Sequence, residues 1–187
     1  MKKSTFVLHP DDRSTDFLSP LHRHLEDKNV ITGGIGEKKI REYLMGHDQL
    51  ILMGHGTSNG LLSVGKFPDH FLFVINQDDT EILRQKPNNI FIWCYASSFA
   101  RAQKIRSFCT GMFISETSEA RYLGLYDVNN KEIEISNETF VDVVARLLKE
   151  GNNAQQIYEG VMESDYRLLA RENPVARYNF DRIEFIQ

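Results

Sequence analysis

The sequence predicts a three-layer α/β sandwich, in which helices cover both faces of a mostly parallel central sheet. Short apolar runs alternate with stretches of helical spacing along the chain, which is the pattern of parallel strands joined by crossover helices. Two runs, LILMGHG at 50–56 and NIFIWCYASS at 89–98, begin with residues that are almost all apolar, as in strands buried on both faces. Each run carries one reactive side chain where its strand ends, His55 or Cys94, and ligands gather at that edge of an open α/β sheet.

Length and composition restrict the kind of protein. The chain has 187 residues, which favours one α/β domain over residues 1–187. Its formal net charge of −4 does not favour binding to nucleic acid. No apolar run approaches the roughly 20 residues that span a bilayer. The N-terminal residues lack the apolar core of a signal peptide, and two cysteines make no disulfide framework. We therefore expect a cytoplasmic protein with free thiols and with neither a nucleic-acid nor a membrane partner.

The first part of the chain predicts strands and helices in alternation. Apolar side chains at helical spacing, with Pro20 in the first turn, predict a helix over 15–28. Gly46 is a good C-terminal stop for a second helix. The elements expected here are strands at 4–8, 29–34 and 50–53, a polar turn at 9–14, and helices at 15–28 and 36–47.

The rest of the chain continues this alternation. Helices are predicted where a capping residue, such as Asn137, precedes apolar side chains at helical spacing. The pair Asn129-Asn130 is interpreted as the turn of a hairpin. The expected elements are a loop or hairpin at 56–67, strands at 70–76, 110–116 and 182–186, helices at 78–86, 97–108, 137–151 and 153–172, and a loop with a hairpin at 120–136.

His55 and Cys94 form the candidate catalytic pair. If their strands are parallel neighbours, the imidazole and the thiol lie side by side at one edge of the sheet, which is the minimum for a cysteine nucleophile with a general base. Gly56 has no side chain, so its backbone can approach a substrate, and its N–H with that of Cys94 can stabilise an oxyanion. A helix that begins just after Cys94 is expected to lower the pKa of the thiol.

These motifs resemble the caspase-like cysteine peptidases, a group that includes caspases, metacaspases, gingipains, separase and CHAT-type proteases. In that group a hydrophobic strand ends in His-Gly and a later one ends in the nucleophilic cysteine, as in LILMGHG and NIFIWCYASS. The resemblance implies a cysteine endopeptidase with a caspase-like fold, with Cys94 as the nucleophile, His55 as the base and Gly56 as an oxyanion donor. It implies no cofactor and a peptide or protein substrate. Since no partner domain is visible in the sequence, a regulatory protein partner that controls substrate access is a further expectation. Trp93 departs from the pattern, because the group usually has a small or polar residue there.

Charged residues near the predicted strand ends are candidates for substrate binding. Arg13 could bind an acidic side chain bidentately. Asp11, Asp12, Glu116 or Asp127 could bind a basic one, and because acidic candidates outnumber the basic one, a basic substrate residue is favoured.

Other interpretations of the same residues remain open. Cysteine is among the most buried residue types, so Cys94 could be structural, and the chain could be a caspase-like or flavodoxin-like module that binds without cleaving. A cysteine hydrolase acting on a non-peptide amide or ester is a further alternative. No metal site is expected, since no CxxC or HxxxH spacing occurs. The GGIG run at 33–36 lacks the spacing of a phosphate loop and is interpreted as a turn.

Overall fold

A computed structural model describes residues 4–70 and 72–187. Residues 1–3 and residue 71, which fall in the predicted N-terminal segment and in the strand predicted at 70–76, lie outside the described residues. The strands are β1 (Thr5–Leu8), β2 (Lys28–Ile31), β3 (Gln49–Met53), β4 (Gly56–Thr57), β5 (Gly60–Leu62), β6 (Phe73–Ile75), β7 (Asn88–Ile92), β8 (Ser107–Thr110) and β9 (Ile183–Ile186).

Helices connect most of these strands and fill the C-terminal third of the chain. Two 3₁₀ segments, Arg13–Leu18 and Gln77–Asp79, precede α1 and α3. The α-helices are α1 (Pro20–Arg23), α2 (Glu37–Gly46), α3 (Thr80–Arg84), α4 (Ala96–Gln103), α5 (Thr117–Tyr122), α6 (Asn130–Lys149), α7 (Ala154–Met162), α8 (Asp165–Leu169) and α9 (Pro174–Phe180).

The central sheet has six strands in the order β2-β1-β3-β7-β8-β9. The first five run parallel and β9 alone is antiparallel to its neighbour, so the predicted mostly parallel α/β sheet is confirmed. In the register between β3 and β7, Met53 lies opposite Ile92. The two apolar runs are therefore adjacent parallel strands that end at the same level of the sheet.

Alternation along the strands sends side chains into two separate cores. One core contains Ile51 and Ile90 and packs against α1 and α6–α9. The other contains Leu50 and Phe91 and packs against α2, α3 and α4. Strands buried on both faces explain why the runs at 50–53 and 89–93 lack the polar alternation of a half-exposed sheet. Across the described ranges, no helix has the length and apolarity needed to cross a membrane.

The helix predicted over 15–28 is wrong in its extent. The chain there forms a 3₁₀ segment and then the single turn α1, because Pro20 has no N–H with which to continue the preceding turn. The strand predicted at 70–76 is shorter than expected. As β6 it joins an antiparallel sheet with β4 and β5 rather than the central sheet.

The segment after Cys94 differs from the prediction in its boundaries. The predicted helix over 97–108 ends at Gln103, where Lys104 adopts a left-handed conformation, and Ser107 already belongs to β8. The strand predicted at 110–116 is therefore mostly a loop that leads to α5.

The hairpin predicted within 120–136 is absent from the described structure. Asn129 caps α6, and its side chain and that of Glu132 each accept a hydrogen bond from the other's backbone N–H. Asn137, predicted as a helix cap, is instead a buried residue within α6. The helix predicted over 153–172 divides into α7 and α8 because Ser164 caps a new helix, and α9 is a helix that the sequence did not predict.

Candidate active site

His55 and Cys94 meet at the carboxyl edge of the central sheet. His55 follows β3 by two residues and Cys94 follows β7 by two residues. The two strand ends are tied together by a hydrogen bond from the backbone N–H of Gly54 to the carbonyl of Ile92, at 3.0 Å. Both His55 and Cys94 line one narrow cleft. The structure therefore brings the two predicted catalytic side chains to a shared space.

The imidazole of His55 is held by two residues that follow β1, Ser14 of the first 3₁₀ segment and Asp12, which caps that segment. Its Nε2 lies 2.6 Å from the hydroxyl of Ser14 and 3.3 Å from Oδ1 of Asp12. The Ser14 hydroxyl in turn donates to Oδ1 of Asp12 at 2.5 Å, and the Ser14 N–H donates to the same oxygen at 2.9 Å. β1 pairs directly with β3, so the loop after β1 lies beside the histidine.

The donor and acceptor in each of these hydrogen bonds determine which nitrogen of His55 carries the proton. Hydrogen bonds from Ser14, with a smaller contribution from His55, hold the pKa of Asp12 below its usual value, so Asp12 is a carboxylate that only accepts. The Ser14 hydroxyl donates its one hydrogen to that carboxylate and must therefore accept from Nε2–H of His55. Nδ1 is then the unprotonated nitrogen, which is the one that can take a proton from a thiol.

Cys94 lies in a more apolar setting than His55. Its thiol is partly buried against the core that contains Phe113 and Ile92, and Sγ donates weakly to the carbonyl of Phe113 at 3.6 Å. Burial raises the pKa of Cys94 to about 11, with a smaller contribution from the carboxylate of Glu119. The prediction of a lowered pKa is therefore wrong, because desolvation by burial is the largest influence on this thiol.

The chain turns sharply just after Cys94. Tyr95 adopts a left-handed conformation with φ 66°, and α4 begins at the next residue. A residue other than glycine is rarely found in this region of backbone space, and such positions concentrate at functional sites. The turn places the cysteine between the end of a strand and the start of a helix, as predicted.

The cleft between the two side chains is small. Its volume is about 20 Å³, which is enough for one water molecule and too small for a peptide. Phe17 and Phe113 form part of its wall, and their rings stack with centroids 6.4 Å apart. In the state described, His55 and Cys94 line the same cleft, and the space in it is too small for a peptide.

The backbone N–H of Gly56 is not used by its own hairpin. The N–H of Leu62 donates to the carbonyl of His55 at 2.8 Å, and Gly56 lies opposite Leu61 in the next pair. Because successive antiparallel pairs alternate between bonded and non-bonded, the N–H of Gly56 points away from β5. This orientation is compatible with the predicted role as an oxyanion donor.

Trp93 explains why the residue after His55 is a glycine. A Cβ added to Gly56 would collide with Cδ1 of the indole and would lie 2.8 Å from the carbonyl oxygen of Gly60. The indole itself is buried against Phe91 and Phe99, and its Nε1 donates to the carbonyl of Thr57 at 3.1 Å. Trp93 therefore contributes its ring to the core, and the glycine is needed for close packing.

An open groove adjoins the cleft. It has a volume of about 590 Å³ and runs between residues 115–117 and the N-terminal half of α6. Phe17 and Ser115 line both the groove and the cleft, so the two spaces are neighbours.

The predicted substrate-binding residues lie in different places. Asp11 is exposed and paired with Lys66. Glu116 lines the groove, where it is exposed at the start of α5. Asp12 lies within hydrogen-bond distance of His55 and lines neither the cleft nor the groove. Arg13 is exposed at the start of the first 3₁₀ segment, and Asp127 is exposed in the loop before α6; neither lines the cleft or the groove.

Sequence reasoning missed Ser14. The signal that could have found it is its position in a polar turn at the carboxyl end of β1, two residues after an aspartate that can accept from its N–H and hydroxyl. Its partner His55 is 41 positions away, so no local pattern connects them.

Comparisons with known proteins found no relative of this chain. No protein-family model, no curated protein and no solved structure matches the chain. Within the described ranges, His, Cys, Asp and Glu side chains form no group of three or more that could hold a metal ion.

Proposed function

We propose that this chain is a cysteine peptidase of the caspase-like group, with Cys94 as nucleophile and His55 as general base. One observation carries the proposal: the cleft shared by these two side chains lies at the carboxyl ends of adjacent parallel strands, with the imidazole already held by Ser14 and Asp12. Nucleophile, base and orienting groups in this order are the parts that covalent catalysis requires.

The reaction follows from these positions. As Sγ of Cys94 attacks the peptide carbonyl carbon, its proton passes to Nδ1 of His55, and the carbonyl oxygen becomes an oxyanion that the N–H groups of Gly56 and Cys94 stabilise. The C–N bond then breaks and the leaving amine takes the proton from His55. Water, deprotonated by His55, hydrolyses the resulting thioester, which releases the acid and restores the thiol.

The raised pKa of Cys94 makes the base essential. Because burial moves this pKa to about 11, the thiol is protonated at neutral pH, and proton transfer to His55 must accompany the attack. The carboxylate of Asp12, acting directly and through the hydroxyl of Ser14, would stabilise the imidazolium that forms on His55.

A peptide substrate must widen the cleft before this chemistry begins. The carbonyl of Phe113 contacts Sγ and Phe17 lines the same cleft, so residues near 113 would have to move to admit a peptide. A regulatory protein that displaces this segment is one means of control, and substrate binding itself is another.

The test is fluorophore release from a peptide library that varies the residue before the cut, with wild type and Cys94→Ala in parallel. We expect cleavage by the wild type and none by the variant, whereas Cys109→Ala, which removes the fully buried second thiol, should still cleave. Release that persists in Cys94→Ala would refute the proposed nucleophile.

A second candidate is a binding module without catalysis. The cleft volume of about 20 Å³ and the raised pKa of Cys94 favour it, since both are usual for a structural cysteine. This candidate predicts that a small uncharged alkylating reagent labels Cys94 no faster in wild type than in His55→Ala. A non-peptide amide or ester hydrolase would show the opposite labelling result with no peptide cleaved.

A further inference from the structure

A second histidine lies behind the one proposed as the base. His9 directly follows β1 and is only 4% exposed. Its backbone N–H donates to the carbonyl of Ile31 at 3.0 Å, which ties this residue to the neighbouring strand β2. Its ring lies against Gly54, since a Cβ built on that glycine would lie 3.9 Å from Cδ2 of His9. Gly54 immediately precedes His55, so the two histidines are packed around the same end of β3.

The imidazole of His9 makes one hydrogen bond, to a buried threonine. Its Nε2 lies 3.1 Å from Oγ1 of Thr15, which is also 4% exposed. The Thr15 hydroxyl donates its single hydrogen to the carbonyl of Asp12 at 3.1 Å, and the Thr15 N–H donates to the same carbonyl at 3.1 Å. The threonine oxygen must therefore accept from His9, so Nε2 of His9 carries the proton.

The threonine connects His9 to the two groups that hold His55. The main-chain carbonyl of Asp12 is bonded from the side of His9, whereas the side chain of Asp12 accepts from the N–H and the hydroxyl of Ser14. The Ser14 hydroxyl in turn lies 2.6 Å from Nε2 of His55. A shift of the Asp12 backbone would therefore move both contacts of the His55 imidazole.

Neither Thr15 nor Asp12 needs His9 in order to be satisfied. The Thr15 hydroxyl and the Asp12 carbonyl are already bonded to each other, so an apolar side chain at position 9 would leave no orphaned group there. Burial lowers the pKa of His9, although nearby carboxylates and the contact with Thr15 act in the opposite direction. The ring is therefore neutral at neutral pH, and burying it has a cost that its contact with Thr15 must offset.

We propose that His9 is a positioning residue for His55. Its Nε2–H fixes Thr15, and through Thr15 it fixes the backbone of Asp12 and the orientation of the two groups that bind the His55 imidazole. The effect on catalysis rests on the proposed peptidase function, because it requires His55 to act as the base. The effect on the His55 imidazole itself does not depend on any activity.

The test measures the His55 imidazole directly in the full chain. The ¹⁵N shifts of its two ring nitrogens, recorded by NMR above the ordinary histidine pKa of about 6.5, report which nitrogen carries the proton and how firmly it is held. Ser14→Ala supplies the shifts of an imidazole that has lost its hydroxyl partner. His9→Phe keeps a ring and removes the donor, and we expect it to move the shifts at least about half of the way from the wild-type to the Ser14→Ala values.

Two further variants separate positioning from packing. His9→Gln keeps an N–H donor at the end of the side chain, so it should retain the wild-type shifts. Thr15→Val removes the hydroxyl with little change in shape, so it should reproduce His9→Phe, and the two changes combined should add no more. His47→Phe is the matched control. It removes another buried histidine, just before β3 at the opposite end of that strand, and should leave the His55 shifts unchanged.

Kinetics add a second measurement if peptide cleavage is found. His9→Phe should lower kcat about tenfold with little change in KM, as expected for a residue that orients the base and does not touch the substrate. His9→Gln should recover most of the lost rate.

The outcomes separate His9 from the proposed peptidase. Wild-type His55 shifts in His9→Phe would overturn the positioning role, as would shifts in His9→Gln that are displaced as far as in His9→Phe. If His9→Phe does not fold, wild-type shifts in Thr15→Val would overturn it. Displaced shifts together with no cleavage by the wild type would leave His9 in its role and count against the peptidase, whereas cleavage with an unchanged kcat in a folded His9→Phe would do the reverse.

Discussion

The two sides of the candidate site differ in how far each is prepared for chemistry. On the side of β1 and β3, His55 is half-exposed and its Nε2 contacts Ser14 and Asp12, so its ring orientation and proton position are set. On the side of β7 and β8, Cys94 is surrounded by apolar groups, its pKa is raised to about 11, and its Sγ contacts a backbone carbonyl. His55, the proposed base, is organised in advance, whereas Cys94, the proposed nucleophile, is not.

This difference indicates where reactivity would be controlled. The groups that hold His55 come from the short loop after β1, next to a strand of the central sheet. The groups around Cys94 come from the segment after β8, with the carbonyl of Phe113 in the loop and the carboxylate of Glu119 on α5. If the chain is the peptidase proposed above, a change in that loop would alter the nucleophile and leave the base in place.

Removing the imidazole of His55 should have the largest effect on activity. We expect His55→Ala to lower kcat/KM for the best library peptide by about 10² to 10⁴-fold, the usual contribution of general acid–base catalysis. His24→Ala, which removes an exposed histidine, is the control and should retain wild-type activity. Activity within about twofold of wild type in His55→Ala would remove the distinction between the two sides.

The pH dependence of Cys94 alkylation should report the ionisation of the thiol without a contribution from His55. In His55→Ala, the thiol has no base, so its thiolate fraction rises tenfold per pH unit until the pH reaches the raised pKa of about 11. Between pH 7 and pH 9, the alkylation rate of Cys94 by a small uncharged reagent should therefore rise about 100-fold with no plateau. A plateau below pH 9 would mean that the thiol is not desolvated as described.

The parts of the fold that were predictable are those with a local physical signal. The bounds of β1, β3 and β7 follow from short apolar runs that end in polar or small residues. The meeting of His55 and Cys94 then follows, because the carboxyl ends of parallel strands share one edge.

Two kinds of feature were not predictable. In one kind, the same residues favour two different local structures, and in the other, the feature depends on a contact between residues distant in sequence. Asn129-Asn130 is typical of a turn, and only the reciprocal bonds with Glu132 make Asn129 a helix cap. Because the sequence analysis placed a turn at 129–130, it placed the start of α6 too late and did not predict the groove that the first half of α6 lines. The sequence shows that Asp12 is charged, and from that charge it predicts a substrate contact. The sequence does not show that Asp12 lies beside His55, because that contact forms only in the folded chain.

Gly56 joins the two sides, and a substitution there should cost stability. In Gly56→Ala the added Cβ would collide with the indole of Trp93 and meet the backbone of Gly60 at 2.8 Å, so the hairpin or the indole must shift. We expect a loss of about 2 kcal/mol in the free energy of unfolding, as for other overpacked cores, measured by urea denaturation. Gly46→Ala is the matched control: no atom lies within 4 Å of the added Cβ, so stability should be unchanged or slightly increased. Equal stability of Gly56→Ala and wild type would contradict the packing described for Trp93.

The smallest effect is expected from the groups that position the base. Asp12→Asn and Ser14→Ala each alter one of the two groups that hold the imidazole and leave the other, so we expect kcat to fall about tenfold with little change in KM. Ser14→Thr keeps the hydroxyl and should recover most of the lost rate. Asp11→Asn, which removes a neighbouring exposed acid paired with Lys66, is the control and should not change kcat. A change in KM alone would instead assign Asp12 to the substrate, as the sequence first suggested, and the base would then lack the prior organisation that separates it from the nucleophile.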